Sequence, residues 1–289
     1  MSGPERPSWY DDAWNAYENV LFVEGKDDAT LFRRWIEVAA GGPAEHDVQV
    51  IDVTGGNHLR VRQALEWRLA LGKHASGIFD RDDLTDEEAA LLEAREWSQG
   101  RLKVLPRFTI ENYLLEPGEL WGMLPEHDAV TEAARTAYKT KLNQELERYL
   151  HHCSLWKVMV ANKAKLKDLR VSDAVDPVLA SADPPDKKVV ELILRDYASK
   201  LDQNALLAEY DKRHMEAQPA SGESTDACCL RRLCRHVHGK KAFEMLTQPY
   251  LQDELKLQPE PKGWKVTLSQ GVKVVPEDLK DFLSLVRSK

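Results

Sequence analysis

The sequence has little cysteine: four residues in 289, two of them the adjacent Cys228 and Cys229. That is too few and too clustered for a disulfide framework, and it fits a reducing, cytoplasmic setting. No run of ~18 apolar residues occurs, so no membrane-spanning helix is expected. The opening stretch MSGPERPSWYDDAW is polar and acidic, which does not read as a secretory signal. There is no Gly-x-x-x-x-Gly-Lys-[Ser/Thr] phosphate loop, so any use of ATP is expected from another protein. A basic excess is also missing: 40 Lys+Arg stand against 48 Asp+Glu, a net charge of −8. On its face that opposes a phosphate-rich partner, which is usually met by a basic surface. Apolar residues at 43% and charged residues at 30% are the usage of a folded globular chain.

What is present begins as alternating strands and helices. Asn19–Val23 is an apolar run of strand formers that ends at Glu24-Gly25. From Asp27 to Ala40, residues Ala29, Leu31, Phe32, Trp35, Ile36 and Ala39 recur at helical spacing. A second strand is expected at Val48–Val53, running into Gly55-Gly56-Asn57, with a helix from about Leu59 to Leu71. A third strand, Ala75–Phe79, runs into Asp80-Arg81-Asp82-Asp83. A fourth, Lys103–Leu105, precedes Phe108–Tyr113. Such a βαβαβ pattern predicts an α/β fold with a mostly parallel sheet flanked by helices. Residues 127 to 258 are dominated by helical periodicity, broken at Asp176-Pro177 and at 182–185, with an exposed loop at Gln218–Thr225. Trp264–Leu268 and Gly271–Val275 read as a hairpin, and Glu277–Arg287 as a last helix after Pro276. The expected division is an α/β domain over 1–125 and a mainly helical region over 126–289.

Acidic residues sit where the strands should end. Glu24 follows the first, Asp80 and Asp82 the third, and Glu111 the fourth. In an open parallel sheet, ligands bind outside the carboxyl ends of the strands, so these side chains are expected to converge. Gathered carboxylates repel unless a cation offsets them, and Mg²⁺ is the natural candidate: a hard ion with oxygen ligands that keeps waters for exchange with phosphates. Gly25 beside Glu24 gives the backbone room to turn and a phosphate room to approach.

Val23-Glu24-Gly25-Lys26-Asp27-Asp28 resembles the first TOPRIM signature, an apolar strand ending in Glu-Gly-x-x-Asp. Ile78-Phe79-Asp80-Arg81-Asp82-Asp83 resembles the second, the Asp-x-Asp. The resemblance spans about residues 18 to 115. Phe108-Thr109-Ile110-Glu111-Asn112-Tyr113 is similar to the Glu-Asn-Tyr element of the OLD-like TOPRIM nucleases, and closest to the stand-alone effectors encoded beside an ABC-type ATPase in PARIS-type anti-phage systems. Gly239-Lys240-Lys241 resembles the late Gly-Lys element with which such proteins place a lysine in the site. Asn57 departs from the lysine that many relatives carry after the glycines.

The resemblance implies a Mg²⁺- or Mn²⁺-dependent nuclease with two ions. Glu24 would be a metal ligand or proton-transfer group, Asp80 and Asp82 metal ligands, and Glu111 a ligand of the second ion. Gly25 would support the Glu24 turn, and Asp28 that turn or the metal shell. Lys240 would stabilise charge on the transferring phosphate, with Lys241 as the alternative one residue on. It further implies a nucleic-acid substrate (tRNA or DNA), an ABC-type ATPase partner, a possible homodimer and no membrane contact. Other readings are a non-enzymatic TOPRIM module of a recombination or repair complex, a maturation ribonuclease, and, least of all, a strand transferase.

The remaining features read more plainly. Cys228, Cys229, Cys234, His236 and His238 crowd into one expected helix, unlike the separated ligand pairs of structural zinc sites. Trp35, Trp67 and Trp121 fall at core positions. Charge is uneven: Asp80–Glu96 holds eight acids against two arginines, while Arg135–Arg170 holds nine basic residues against three acids. The whole-chain sum therefore conceals an acidic site region, which metal would offset, and a basic helical segment that reads either as a solvated helix face or as a phosphate-tracking surface.

Overall fold

The computed structural model describes residues 4–42, 48–54, 58–124, 130–165, 170–180, 187–197 and 201–288, and of 226–228 the backbone only. The first half forms β1 (Asn19–Val23), α1 (Lys26–Ala40), β2 (Val48–Asp52), α2 (His58–Ala70), β3 (His74–Phe79), α3 (Asp86–Glu93) and β4 (Leu102–Val104). All four strands are parallel, in the order β2-β1-β3-β4. The expected α/β architecture is therefore present. The chain steps from β1 to one side and then crosses to the other, so the order reverses between β1 and β3. That reversal opens a crevice at the carboxyl ends of those two strands.

Strand periodicity divides the core. Leu21, Val23, Val48, Val50 and Ile78 face α1, where Leu31, Phe32, Trp35 and Ile36 are buried. Val20, Phe22, Ile51, Ala75 and Phe79 face the other way, onto Val61, Ala64 and Leu65 of α2. Successive side chains of a strand point to opposite faces, so an uninterrupted apolar run such as Asn19–Val23 belongs to a strand covered on both sides. The fully buried Arg68 of α2 donates to the carbonyls of Trp14, Tyr17 and His74, which ties the N-terminal segment under the sheet.

The second half is helical: α4 (Pro117–Met123), α5 (Glu132–Ala161), α6 (Val171–Val175), α7 (Pro177–Ala180), α8 (Lys187–Asp196), α9 (Gln203–Glu216), α10 (Thr225–Arg235), α11 (Gly239–Ala242), α12 (Trp264–Ser269) and α13 (Lys280–Arg287). The α1 face of the sheet shares one continuous core with this half, through Tyr138, Leu146, Phe243, Trp264, Leu268 and Leu283. A separate core joins α5 to α6–α9 through Leu155, Val158, Val175, Leu194 and Tyr210. The break at Asp176-Pro177 falls between α6 and α7; those at 182–185 lie outside the described residues, as do Gly55, Gly56 and Asn57. No helix among the described residues is long and apolar enough to cross a membrane.

The hairpin expected near the C-terminus is a correction. Trp264–Ser269 is helical, and the Thr267 N–H donates to the Gly263 carbonyl at 3.2 Å. Trp264-Lys265-Val266-Thr267-Leu268 alternates apolar and polar like a strand, but Trp264 and Leu268 also stand four apart, on one helix face. Both are buried in the shared core, and Gly271 packs on the Met123 backbone, leaving no room for a returning strand.

Candidate active site

Glu24, Asp80, Asp82 and Glu111 meet Asp28 at the carboxyl edge of the sheet. The β1–β3 register pairs Phe22 with Gly77, so Glu24 and Asp80 leave their strands one residue apart at the crevice. Asp28 follows on the first turn of α1. Gly25 is extended rather than left-handed, at φ −127°; what matters there is size, since a Cβ would lie 3.0 Å from Asp28 Oδ2.

Asp80 is held by the segment after β4. The Ile110 N–H donates to Asp80 Oδ1 at 3.0 Å. Asp82 takes a left-handed conformation, φ 49°, and its N–H donates to the Phe108 carbonyl at 2.8 Å. Left-handed backbone disfavours most side chains and is tolerated by aspartate. Residues 80–82 are thus tied at both ends to the Phe108–Ile110 stretch of chain, which delivers Glu111.

Glu111 lies on a 3₁₀ turn, Ile110–Leu114, and is buried. Asn112 clasps this turn to the helical half. Its Oδ1 accepts from the Thr109 N–H at 2.7 Å, and its Nδ2 donates to the carbonyls of Leu233 and Val237 at 2.6 and 3.0 Å. From below, Arg107 stacks 3.9 Å from the Tyr113 ring centroid and bonds both Glu119 oxygens and Asp278. Burial pushes the Glu119 carboxyl up to about 7, against the pull of Arg107.

The lysine in the site is neither of those expected. Lys240 is exposed and has no hydrogen bond or ion pair among the described residues; Lys241 donates to Asp176 Oδ2 at 2.7 Å. The Gly-Lys element does reach the Glu-Asn-Tyr turn, but through Gly239: a Cβ there would lie 2.3 Å from Asn112 Oδ1 and 2.5 Å from Thr109 Oγ1. The cluster instead receives Lys265 of α12, whose Nζ lies 2.8 Å from Asp28 Oδ1 and 2.9 Å from Glu111 Oε1. Sequence reasoning misses this residue. Its single signal is a lysine inside an otherwise apolar-periodic stretch, which is equally the mark of a surface strand.

One ammonium does not balance five carboxyls. Burial, then Asp82 and Asp28, push the Glu24 carboxyl up to about 8. Asp82 is exposed in area but crowded by protein, and burial, Asp83 and Glu111 raise it to about 6. Asp80 is raised well above its ordinary value, by burial and then by Glu111, Asp28, Asp82 and Glu24. Asp28 stays raised because burial outweighs Lys265. For Glu111 burial also raises, but Lys265 and hydrogen bonds from the backbone and Thr109 hold it below the usual carboxylate range. Lys265 in turn is held above its ordinary value: burial would lower it, and Glu111 and Asp28 outweigh that.

Among the described residues no three His, Cys, Asp or Glu side chains form a ready-made metal cage. The chemistry of the donors nevertheless fits a hard cation: they are carboxylate oxygens, they raise one another's pKa, and the buried Glu24 Oε1 has no hydrogen-bond partner. Glu24, Asp80 and Asp82 form the unpaired side of this cluster. Glu111 and Asp28 form the side already neutralised by Lys265. No protein-family model, curated protein or solved structure matches the chain.

Of the Cys and His residues near the end of α10, Cys234 and His238 are packed into the protein rather than turned to a common metal position. His238 lies between Phe108 and Trp156, with ring centroids 5.5 and 4.6 Å away, and burial lowers its pKa to about 4. Burial lifts the Cys234 thiol to about 11. Trp35 and Trp121 are buried in the core and Trp67 is partly buried at its edge.

Proposed function

We propose that the protein is a metal-dependent nuclease that cleaves phosphodiester bonds, with Mg²⁺ or Mn²⁺ as its ion and RNA (tRNA) or DNA as its substrate. One observation carries this reading: Glu24, Asp80 and Asp82 from two strand ends and Glu111 from the 3₁₀ turn beyond β4 meet Asp28 and Lys265 at the sheet's switch point. Strand-end carboxylates with raised pKa values in a crevice are the mark of a site that does chemistry rather than one that adds stability.

Glu24, Asp80 and Asp82 would hold a divalent ion, and Glu111 would hold a second if Lys265 gave way. When bound, such an ion polarises the phosphate and lowers the pKa of a water. The chain's own residues do the rest. The Ile110 N–H fixes the Asp80 carboxylate. Glu24, held near 8, is suited to take or give a proton near neutral pH. Lys265 brings a fixed positive charge to the edge of the site, where it would offset charge on the transferring phosphate. This is the role that the resemblance implies for Lys240.

The wider biology is part of the same proposal. A nuclease of this kind needs restraint inside its own cell. Control by an ABC-type ATPase, in a cytoplasmic anti-phage system, fits the resemblance and the missing phosphate loop; a homodimer is a further expectation. The test is incubation of the protein with Mg²⁺ or Mn²⁺ against plasmid, single-stranded DNA and total tRNA, with and without any ABC-type ATPase that is encoded beside it. Cleavage is expected from the native chain and not from Glu24→Gln or Asp80→Ala. Undiminished Mg²⁺-dependent cleavage by the double variant refutes the site.

A further inference from the structure

Asp82 also belongs to a second, larger space. A groove of about 570 Å³ runs from the Asp82–Glu87 loop to α5, α9 and α10. Its helical wall carries Lys157, Lys212, Arg231 and Arg235, and its loop wall carries Arg81. Acids line it too: Asp82, Asp83, Asp86, Glu87 and Glu216.

The pairing of these charges decides what the groove fits. Asp86 is shared by Arg81 and Arg235, so two guanidinium groups meet one carboxylate. Lys157 is half-buried, yet its ammonium meets no carboxylate among the described residues. It lies 5.1 Å from the Phe108 ring centroid and 3.4 Å from the Arg235 carbonyl. Lys212 is exposed and has no partner among the described residues. A partly desolvated cation with only a ring and a carbonyl for company calls for an anion. The field agrees. His236, on the same wall, is driven down to about 3, by burial and then by Lys157, Arg231, Arg235 and Arg232. The floor is continuous with the candidate site, since Phe108 lies under Lys157 and its carbonyl holds Asp82.

We propose that this groove is the entry path for one nucleic-acid strand, whose phosphates track Lys157, Lys212 and the Arg81–Arg235 pair toward Asp82. The proposal rests on the phosphodiester-cleaving reading of the carboxylate site, and it adds the strand form of the substrate and its route. A single strand or an unpaired loop can lie along Lys157, Lys212 and the Arg81–Arg235 pair within this space of about 570 Å³, and tighter duplex binding is the opposing outcome of the test. The charge pattern suits delivery: basic side chains hold neighbouring phosphates, and the acidic end receives one phosphate only where a cation is present.

The test is fluorescence anisotropy in EDTA, with 5′-labelled single-stranded RNA, single-stranded DNA and a blunt duplex of one sequence, each over a salt series. Cleavage of the same probes is then measured in Mg²⁺. Lys157→Glu with Lys212→Glu should weaken single-strand binding at least tenfold and flatten the salt slope by ~0.7 for each phosphate no longer neutralised. Lys141→Glu with Lys256→Glu, which changes net charge equally outside the groove, should stay within about twofold. The milder pair Lys157→Gln with Lys212→Gln guards against misfolding, and should show a smaller loss in the same direction. Equal losses in the groove and control pairs, or duplex bound more tightly than single strands, overturns the groove assignment. If the native chain cleaves and the groove variants cleave equally well, the groove fails and the nuclease reading stands. If the native chain cleaves nothing while the groove variants still lose binding, the nuclease reading fails and the groove stands as a binding surface.

Discussion

Replacing Glu24 by Gln should stabilise the metal-free protein, and only at higher pH. A carboxyl whose folded pKa is raised binds its proton more tightly folded than unfolded, so stability falls as pH rises between the two pKa values. For Glu24 the window runs from the ordinary 4.5 to about 8. Below it, Glu and Gln are both neutral and should be equally stable. Above it, the glutamate carries a charge that burial and the neighbouring Asp82 and Asp28 disfavour. At ~1.4 kcal/mol per unit the full shift would be about 5 kcal/mol. Glu24 is only half-buried and water screens it, so about 2 kcal/mol is the expected gain. Urea denaturation in EDTA at pH 5 and pH 8.5, native chain against variant, measures it. A Gln variant no more stable at pH 8.5, or equally more stable at pH 5, refutes the electrostatic account. Adding Mg²⁺ at pH 8.5 should restore stability to the native chain more than to the variant.

Three further outcomes follow from the geometry. Lys265→Met removes the partner of two buried carboxylates and should cost ~3 kcal/mol in denaturant melts, as broken buried ion pairs do; cleavage should be lost as well. Lys240→Ala, at an exposed residue outside the cluster, should leave both melting and cleavage unchanged, and a large drop in cleavage would return that residue to the site. Gly239→Ala forces a methyl against Asn112 and Thr109 and should cost about 2 kcal/mol, with unfolding first seen as faster hydrogen exchange at 109–114.

Much of the candidate site is legible in the sequence. Glu24, Asp80 and Asp82 each follow an apolar run that only a doubly covered strand explains, and parallel strands separated by helices bring their carboxyl ends to one edge. Asn112 is recognisable by its setting and not by its role, because the carbonyls it binds belong to residues 233 and 237. Lys265 is not legible at all. Its partner Asp28 is 237 positions away, and the alternating residues around it signal strand and helix equally.

By itself, then, the sequence determined the strands, their parallel connection and the acidic residues at their ends, since these follow from local periodicity and short crossovers. The tertiary structure decided which cation answers those acids, that Trp264–Ser269 is a helix, and that Lys157 and Lys212, without a carboxylate partner among the described residues, line a mixed-charge groove beside the acidic cleft. Each of those depends on packing between residues far apart in the chain, where burial selects among local conformations of nearly equal energy and sets which charges lie close enough to interact.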